Sequence, residues 1–139
     1  MKKIKKIVLL ILVLLLICGC SGKFTFETSI KGEKIGIKVN DAQDGESGET
    51  LEFEVMKDRV LNITSSLDKG EMKLDFVNVT IFTNEDGPDD VIANEVVESI
   101  TISGSETIEL ELNPDYYIIQ FTSIGNSNGS IDIDINKKN

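Results

Sequence analysis

The sequence predicts an all-β chain, a single antiparallel β-sandwich of jelly-roll-like form built from about nine short strands. Three observations carry this expectation. Apolar residues recur at every second position over most of the chain beyond Lys23, the pattern of strands with one buried face. The alternating runs are short and are punctuated by Gly, Asn and Asp, which favour turns. Only one stretch has even a weak helical spacing.

Taken in order, Phe24, Phe26 and Ile30 fall on one face, followed by Ile35, Ile37 and Val39. Leu51, Phe53 and Val55 alternate with Glu52 and Glu54 and predict a further strand. Lys57-Asp58 reads as a tight turn before Leu61 and Ile63, and Asp68-Lys69-Gly70 as a second turn. The run from Glu71 to Phe82 starts in one phase, Met72, Leu74 and Phe76, and ends in the other, Val77, Val79 and Ile81. Such a slip within one strand predicts a β-bulge or a corner between sheets. Asp89 to Glu98 follows Gly87-Pro88 and spaces Val91, Ile92, Val96 and Val97 as a weak helical stripe, so it reads as a crossover loop with a helical turn. Ile100 and Ile102 resume the alternation, and Ile108, Leu110 and Leu112 alternate with Glu109 and Glu111. Tyr116 to Phe121 is the next strand, Gly125-Asn126-Ser127-Asn128-Gly129 a loop, and Ile131, Ile133 and Ile135 the last strand, alternating with Asp132 and Asp134.

The first twenty residues are of a different kind. Lys2, Lys3, Lys5 and Lys6 precede eleven consecutive apolar residues, Ile7 to Ile17, the length of a signal-peptide core. As a helix this run is about 16 Å long, against a hydrocarbon thickness of roughly 30 Å, which is short for a permanent span. Ile17-Cys18-Gly19-Cys20 resembles the lipobox of bacterial lipoproteins. That resemblance implies cleavage after Gly19 and a covalent diacylglycerol and acyl lipid on Cys20. The expected organisation is then signal peptide 1–19, lipidated Cys20 with a tether to residue 23, β-sandwich 24–136 and polar tail 137–139. Three or four extended residues span about 10–14 Å, so the domain is expected close to the bilayer.

With Cys18 cleaved away and Cys20 lipidated, the mature chain keeps no disulfide and no thiol. Roughly 120 residues then have to be stabilised by their own core, which suits one domain. Loss of the signal lysines leaves ten basic against 24 acidic residues, a net charge of −14. That surface repels nucleic acid, and it repels anionic headgroups too. The expected partners are the membrane, through the lipid, and another envelope protein.

The residue inventory narrows the chemistry. The chain has no His, which removes the commonest general base and zinc ligand together with Ser-His-Asp and Cys-His arrangements. It has no glycine-rich phosphate loop and no Trp platform for a sugar. Carboxylate-only hydrolysis would need two acids facing each other across a cleft, whereas most acids here alternate with apolar residues and read as a solvated sheet face.

Two acidic loops are candidate ligand sites. Asp41, Asp44, Glu46 and Glu49 lie in the first; Asn84, Glu85, Asp86, Asp89 and Asp90 surround Gly87-Pro88 in the second. Clustered oxygens on turn-prone backbone suit calcium, and the second loop is the candidate calcium site. Neither is an EF-hand, since aligning Gly45 or Gly87 to its glycine puts Leu51 or Ala93 at the twelfth position. Alternation with Ile119 and Phe121 sends Tyr117 into the core and leaves Tyr116 and Ile118 on the opposite face, a candidate partner contact.

Leu74-Asp75-Phe76, Leu112-Asn113-Pro114-Asp115-Tyr116-Tyr117-Ile118 and Gly129-Ser130-Ile131-Asp132-Ile133 resemble the β-sandwich modules that form C-terminal accessory domains of secreted bacterial peptidases. In those modules a Gly commonly precedes the Tyr, where this chain has Asp115, and a paired-Asp motif is reduced here to Asp75. The resemblance implies a non-catalytic sandwich, sometimes calcium-linked, and transfers no catalytic residue. The leading expectation is thus a non-enzymatic interaction module of a lipid-anchored envelope protein. A calcium-dependent structural or adhesive module is the alternative, and a carboxylate hydrolase comes third. The location is the outer face of the cytoplasmic membrane, or the outer membrane where the envelope has two.

Overall fold

The computed structural model describes residues 24–138. The signal segment, the lipobox with Cys20 and the tether lie outside the described residues. Eight strands form: β1 (Phe26–Lys31), β2 (Lys34–Ala42), β3 (Ser47–Glu49), β4 (Phe53–Val55), β5 (Arg59–Phe82), β6 (Asp90–Ser103), β7 (Thr107–Leu110) and β8 (Asp115–Lys137). The described residues are all-β and sandwich-like, with every strand pair among them antiparallel.

Two strands of 24 and 23 residues, β5 and β8, organise everything else. They pair with each other from Arg59↔Lys137 to Asn78↔Tyr117, with register shifts at Leu67/Lys69 and Lys69/Glu71. At that point the ribbon bends and splits the sheet into two leaves. The first leaf runs β1-β2-β8-β5-β7 and uses residues 129–137 and 59–67. The second sets β3 and β4 beside residues 115–122 of β8, then residues 71–82 of β5, then β6. The connections β2 to β3 and β6 to β7 also pass between leaves at this end, so it forms a corner crossed four times.

Alternation explains which face is inside. Ile35, Ile37, Val39, Leu61, Ile63, Ile131 and Ile133 from the first leaf and Met72, Leu74, Phe76, Ile102, Tyr117, Ile119 and Phe121 from the second share one buried cluster. Phe26 of β1 meets Phe121 of β8 edge-on, with ring centroids 4.9 Å apart, and links the leaves directly. Tyr117 is 2 % exposed and its O–H donates to the carbonyl of Asn113.

Several expectations need correction. Asp68-Lys69-Gly70 and residues 125–129 are not turns that end strands; β5 and β8 run through both. Gly70, Gly125 and Gly129 have φ of +75°, +69° and +137°, so the turn-forming residues bend a continuing ribbon there. Residues 89–98 are not a crossover loop with a helical turn, because β6 occupies them. Its pairing with β5 shifts between Val77↔Val96 and Val79↔Ala93. That bulge displaces the alternation and mimics a helical stripe. Leu51 precedes β4 and is 71 % exposed. At Phe76/Val77 the pairing with β6 shifts while β5 keeps its register with β8, so the slip in β5 is a change of its apolar residues from the core face to the outer face, and the bulge lies in β6.

Candidate functional site

The outer face of the first leaf is a shallow polar groove of about 680 Å³, whose lining includes Glu27, Gly36, Lys38, Asn40, Asn128 and Asp132. A Cβ on Gly36 would lie 2.9 Å from the Ser29 hydroxyl oxygen, so glycine keeps its floor low. Most polar groups here are already paired. Glu27 lies 3.8 Å from the Lys38 ammonium and accepts from the Asn40 amide at 3.1 Å. Asp68 accepts from the Asn128 amide at 3.1 Å.

The two acidic loops do different work. In the first, Asp44 accepts the Gly125 N–H at 2.8 Å and Asp41 sits 3.7 Å from the Lys69 ammonium. These carboxylates brace the corner. In the second, the Asn84 amide donates to the Pro88 carbonyl at 3.0 Å and to Asp90 at 3.1 Å. A donor nitrogen thus points at an oxygen that a cation would need. Among the described residues no three His, Cys, Asp or Glu side chains converge as a metal cage, and Glu85, Asp86 and Asp89 are exposed. Asp75 takes the Ser99 hydroxyl and lies 3.7 Å from Lys73. The tail is engaged as well: the Lys138 N–H reaches the Asp58 carbonyl at 2.8 Å, and its ammonium meets Glu111 at 2.6 Å. The Glu111 hydrogen bond and charge raise the Lys138 pKa.

The other distinctive region is the hairpin of β5 and β6. Strand β8 stops pairing at Asn78↔Tyr117, but β5 and β6 continue to Phe82↔Asp90, so an arm projects past the sandwich at the end opposite the corner. Cross-strand partners project to the same face. Ile118, Val77 and Val96 therefore share the arm's outer face, as do Ile81 and Val91. Val77, Val79 and Ile118 form a second apolar cluster, with Ile81 half-buried against it. Of the two candidate contact residues, Tyr116 is 41 % exposed and Ile118 is buried in this cluster. Val91, Ile92, Val96, Val97 and Phe82 are exposed, a concentration that the spacing of residues 89–98, read as a loop, did not reveal. The signal for it was two β-branched pairs separated by Ala93-Asn94-Glu95, with no basic residue near.

Charge marks the arm as well. From Leu74 to Ser99, the end of β5, the connection and β6 carry seven acidic residues and not one Lys or Arg. No protein-family model matches the chain, and no curated protein matches it.

Proposed function

We propose that this protein is a non-enzymatic interaction module, held on the extracytoplasmic face of a membrane through lipid on Cys20 and presenting the β5–β6 arm to another envelope protein. The observation that carries this reading is the opposition of the two ends. Phe24, the first described position after the tether, meets the corner: its carbonyl accepts from the Asn40 amide at 2.8 Å, and the Asn40 N–H reaches the Thr25 carbonyl at 2.7 Å. Asn40 itself follows Val39, which pairs with Gly129 of the bend. The arm lies at the far end, about 35–40 Å away by strand rise over residues 71–82. A lipid at the corner end turns the arm outward.

The absence of His, the pairing of the groove acids Glu27 and Asp68 with Lys38, Asn40 and Asn128, and the solvated acids along the strands support a binding rather than a catalytic role. The test is made in cells. In cells fed a labelled fatty acid, the label is expected on the protein and not on Cys20→Ala, and a photocrosslinker at Val97 is expected to capture an envelope protein that one at Lys34 does not. Absence of label from the unsubstituted protein would overturn the anchor, and equal capture from both positions would overturn the arm as the contact.

A further inference from the structure

The partner's chemistry is written in the free edge of β6. Among the described residues β6 pairs only with β5, and residues 90–99 are exposed throughout. Alternate backbone N–H and C=O groups along such an edge point outward with nothing to satisfy them except water. Natural edges are blunted by charged side chains, Pro or bulges; this stretch has no Lys or Pro, and its bulge is confined to the residues between Ala93 and Glu98. It carries Glu95 and Glu98 instead, beside the exposed Val91 and Val96.

We propose that β6 accepts an added strand from its partner, an extended polypeptide segment in which apolar side chains alternate with Lys or Arg. This inference rests on the interaction reading above and specifies its ligand. An added strand gains main-chain hydrogen bonds from the edge, and its side chains of one phase extend the apolar face of Ile118, Val77 and Val96. Its other phase meets Glu95 and Glu98 and the field of an arm that carries seven acidic residues and no Lys or Arg from Leu74 to Ser99. A second copy of this chain is disfavoured by the same charges, because self-pairing would set two acidic edges against each other. Anionic lipid is disfavoured for the same reason.

The experiment uses the full chain in detergent micelles and two synthetic ten-residue probes. One alternates Val and Lys; the other has the same lysines with Pro in place of every Val, so that charge is kept and strand addition is lost. The Val-Lys probe is expected to slow amide exchange across residues 91–99, and the Pro probe to leave it unchanged. Glu95→Lys with Glu98→Lys, both on exposed positions, is expected to weaken Val-Lys binding by about tenfold or more and to admit a Val-Glu probe. Equal binding of the Pro probe, protection elsewhere on the chain, or no reversal in the double variant would overturn the proposal. So would protection of the same amides without peptide, either on raising protein concentration or on moving the protein into phosphatidylcholine vesicles. If the Val97 crosslinker still captures a protein in cells while the Val-Lys probe fails, the interaction reading stands and the strand-addition inference falls.

Discussion

Gly70 and Gly129 show how much of the fold depends on single residues. A Cβ on Gly129 would lie 2.7 Å from the Leu67 Cα and press on the Ser66 carbonyl, at a φ of +137°. One on Gly70 would lie 2.7 Å from the Ser127 Cα. Backbone cannot yield there as a flexible side chain would. Gly129→Ala is expected to cost about 3 kcal/mol or more, read as a fall in the denaturation midpoint. Gly45→Ala, with open space around its Cβ, is expected to cost less. The corner is also pinned by buried hydroxyls: Ser127 donates to the Glu71 carbonyl at 2.9 Å, and Ser123 lies 2.8 Å from the Ser127 hydroxyl oxygen. Tyr117 offers a pH test. Burial, and secondarily the charge of Asp115, raises its pKa above the ordinary value near 10. Its folded form holds the proton more tightly than the unfolded chain, so its contribution is complete below about pH 10 and is lost as pH rises through the folded pKa. Tyr117→Phe is expected to lose about 1 kcal/mol at neutral pH and to show a shallower alkaline fall in unfolding free energy.

Strand β6 has two ends with different duties. Ile102 is fully buried in the main core, whereas Val96 is 52 % exposed on the arm. Ile102→Ala is expected to destabilise by about 2–5 kcal/mol, and Val96→Thr by less than about 0.5 kcal/mol, both measured by chemical unfolding. Equal effects would mean that the arm is part of the core. The legibility of the sequence divides in the same way. Strict alternation fixed the inward faces of β2, β4 and the last part of β8, sent Tyr117 inward, and marked the slip at Phe76/Val77. Where the backbone bends without reversing, the signal failed. Gly125-Asn126-Ser127-Asn128-Gly129 has the composition of a turn whether the chain turns back or bends through a corner. At β6 the bulge opposite Val77 broke the alternation, so a strand read as a loop.

For the whole molecule, the candidate contact pair was half legible: Tyr116 is exposed, yet the larger apolar face required the pairing of β5 with β6, which no local pattern encodes. The acidic loops were legible as composition only. Asp44 turns toward the Gly125 amide and Asp90 toward Asn84, and among the described residues no three of these acids share a centre. Calcium is therefore expected to move the melting temperature by less than about one degree, whereas a site saturated a hundredfold over its dissociation constant adds about 2.7 kcal/mol. A calcium-selective rise of several degrees would favour the calcium-dependent reading and direct mutagenesis to Asp86 and Asp89.

The central claim is an orientation, with corner toward the membrane and arm away from it. It is tested most directly by placing a fluorophore at Gln43, exposed beside the corner, or at Gly87, exposed at the arm's tip, in the lipidated protein on vesicles containing nitroxide-labelled lipid. Nitroxide quenching at Gln43 with none at Gly87 is the expected result. Quenching at Gly87 would place the arm on the bilayer and contradict the account.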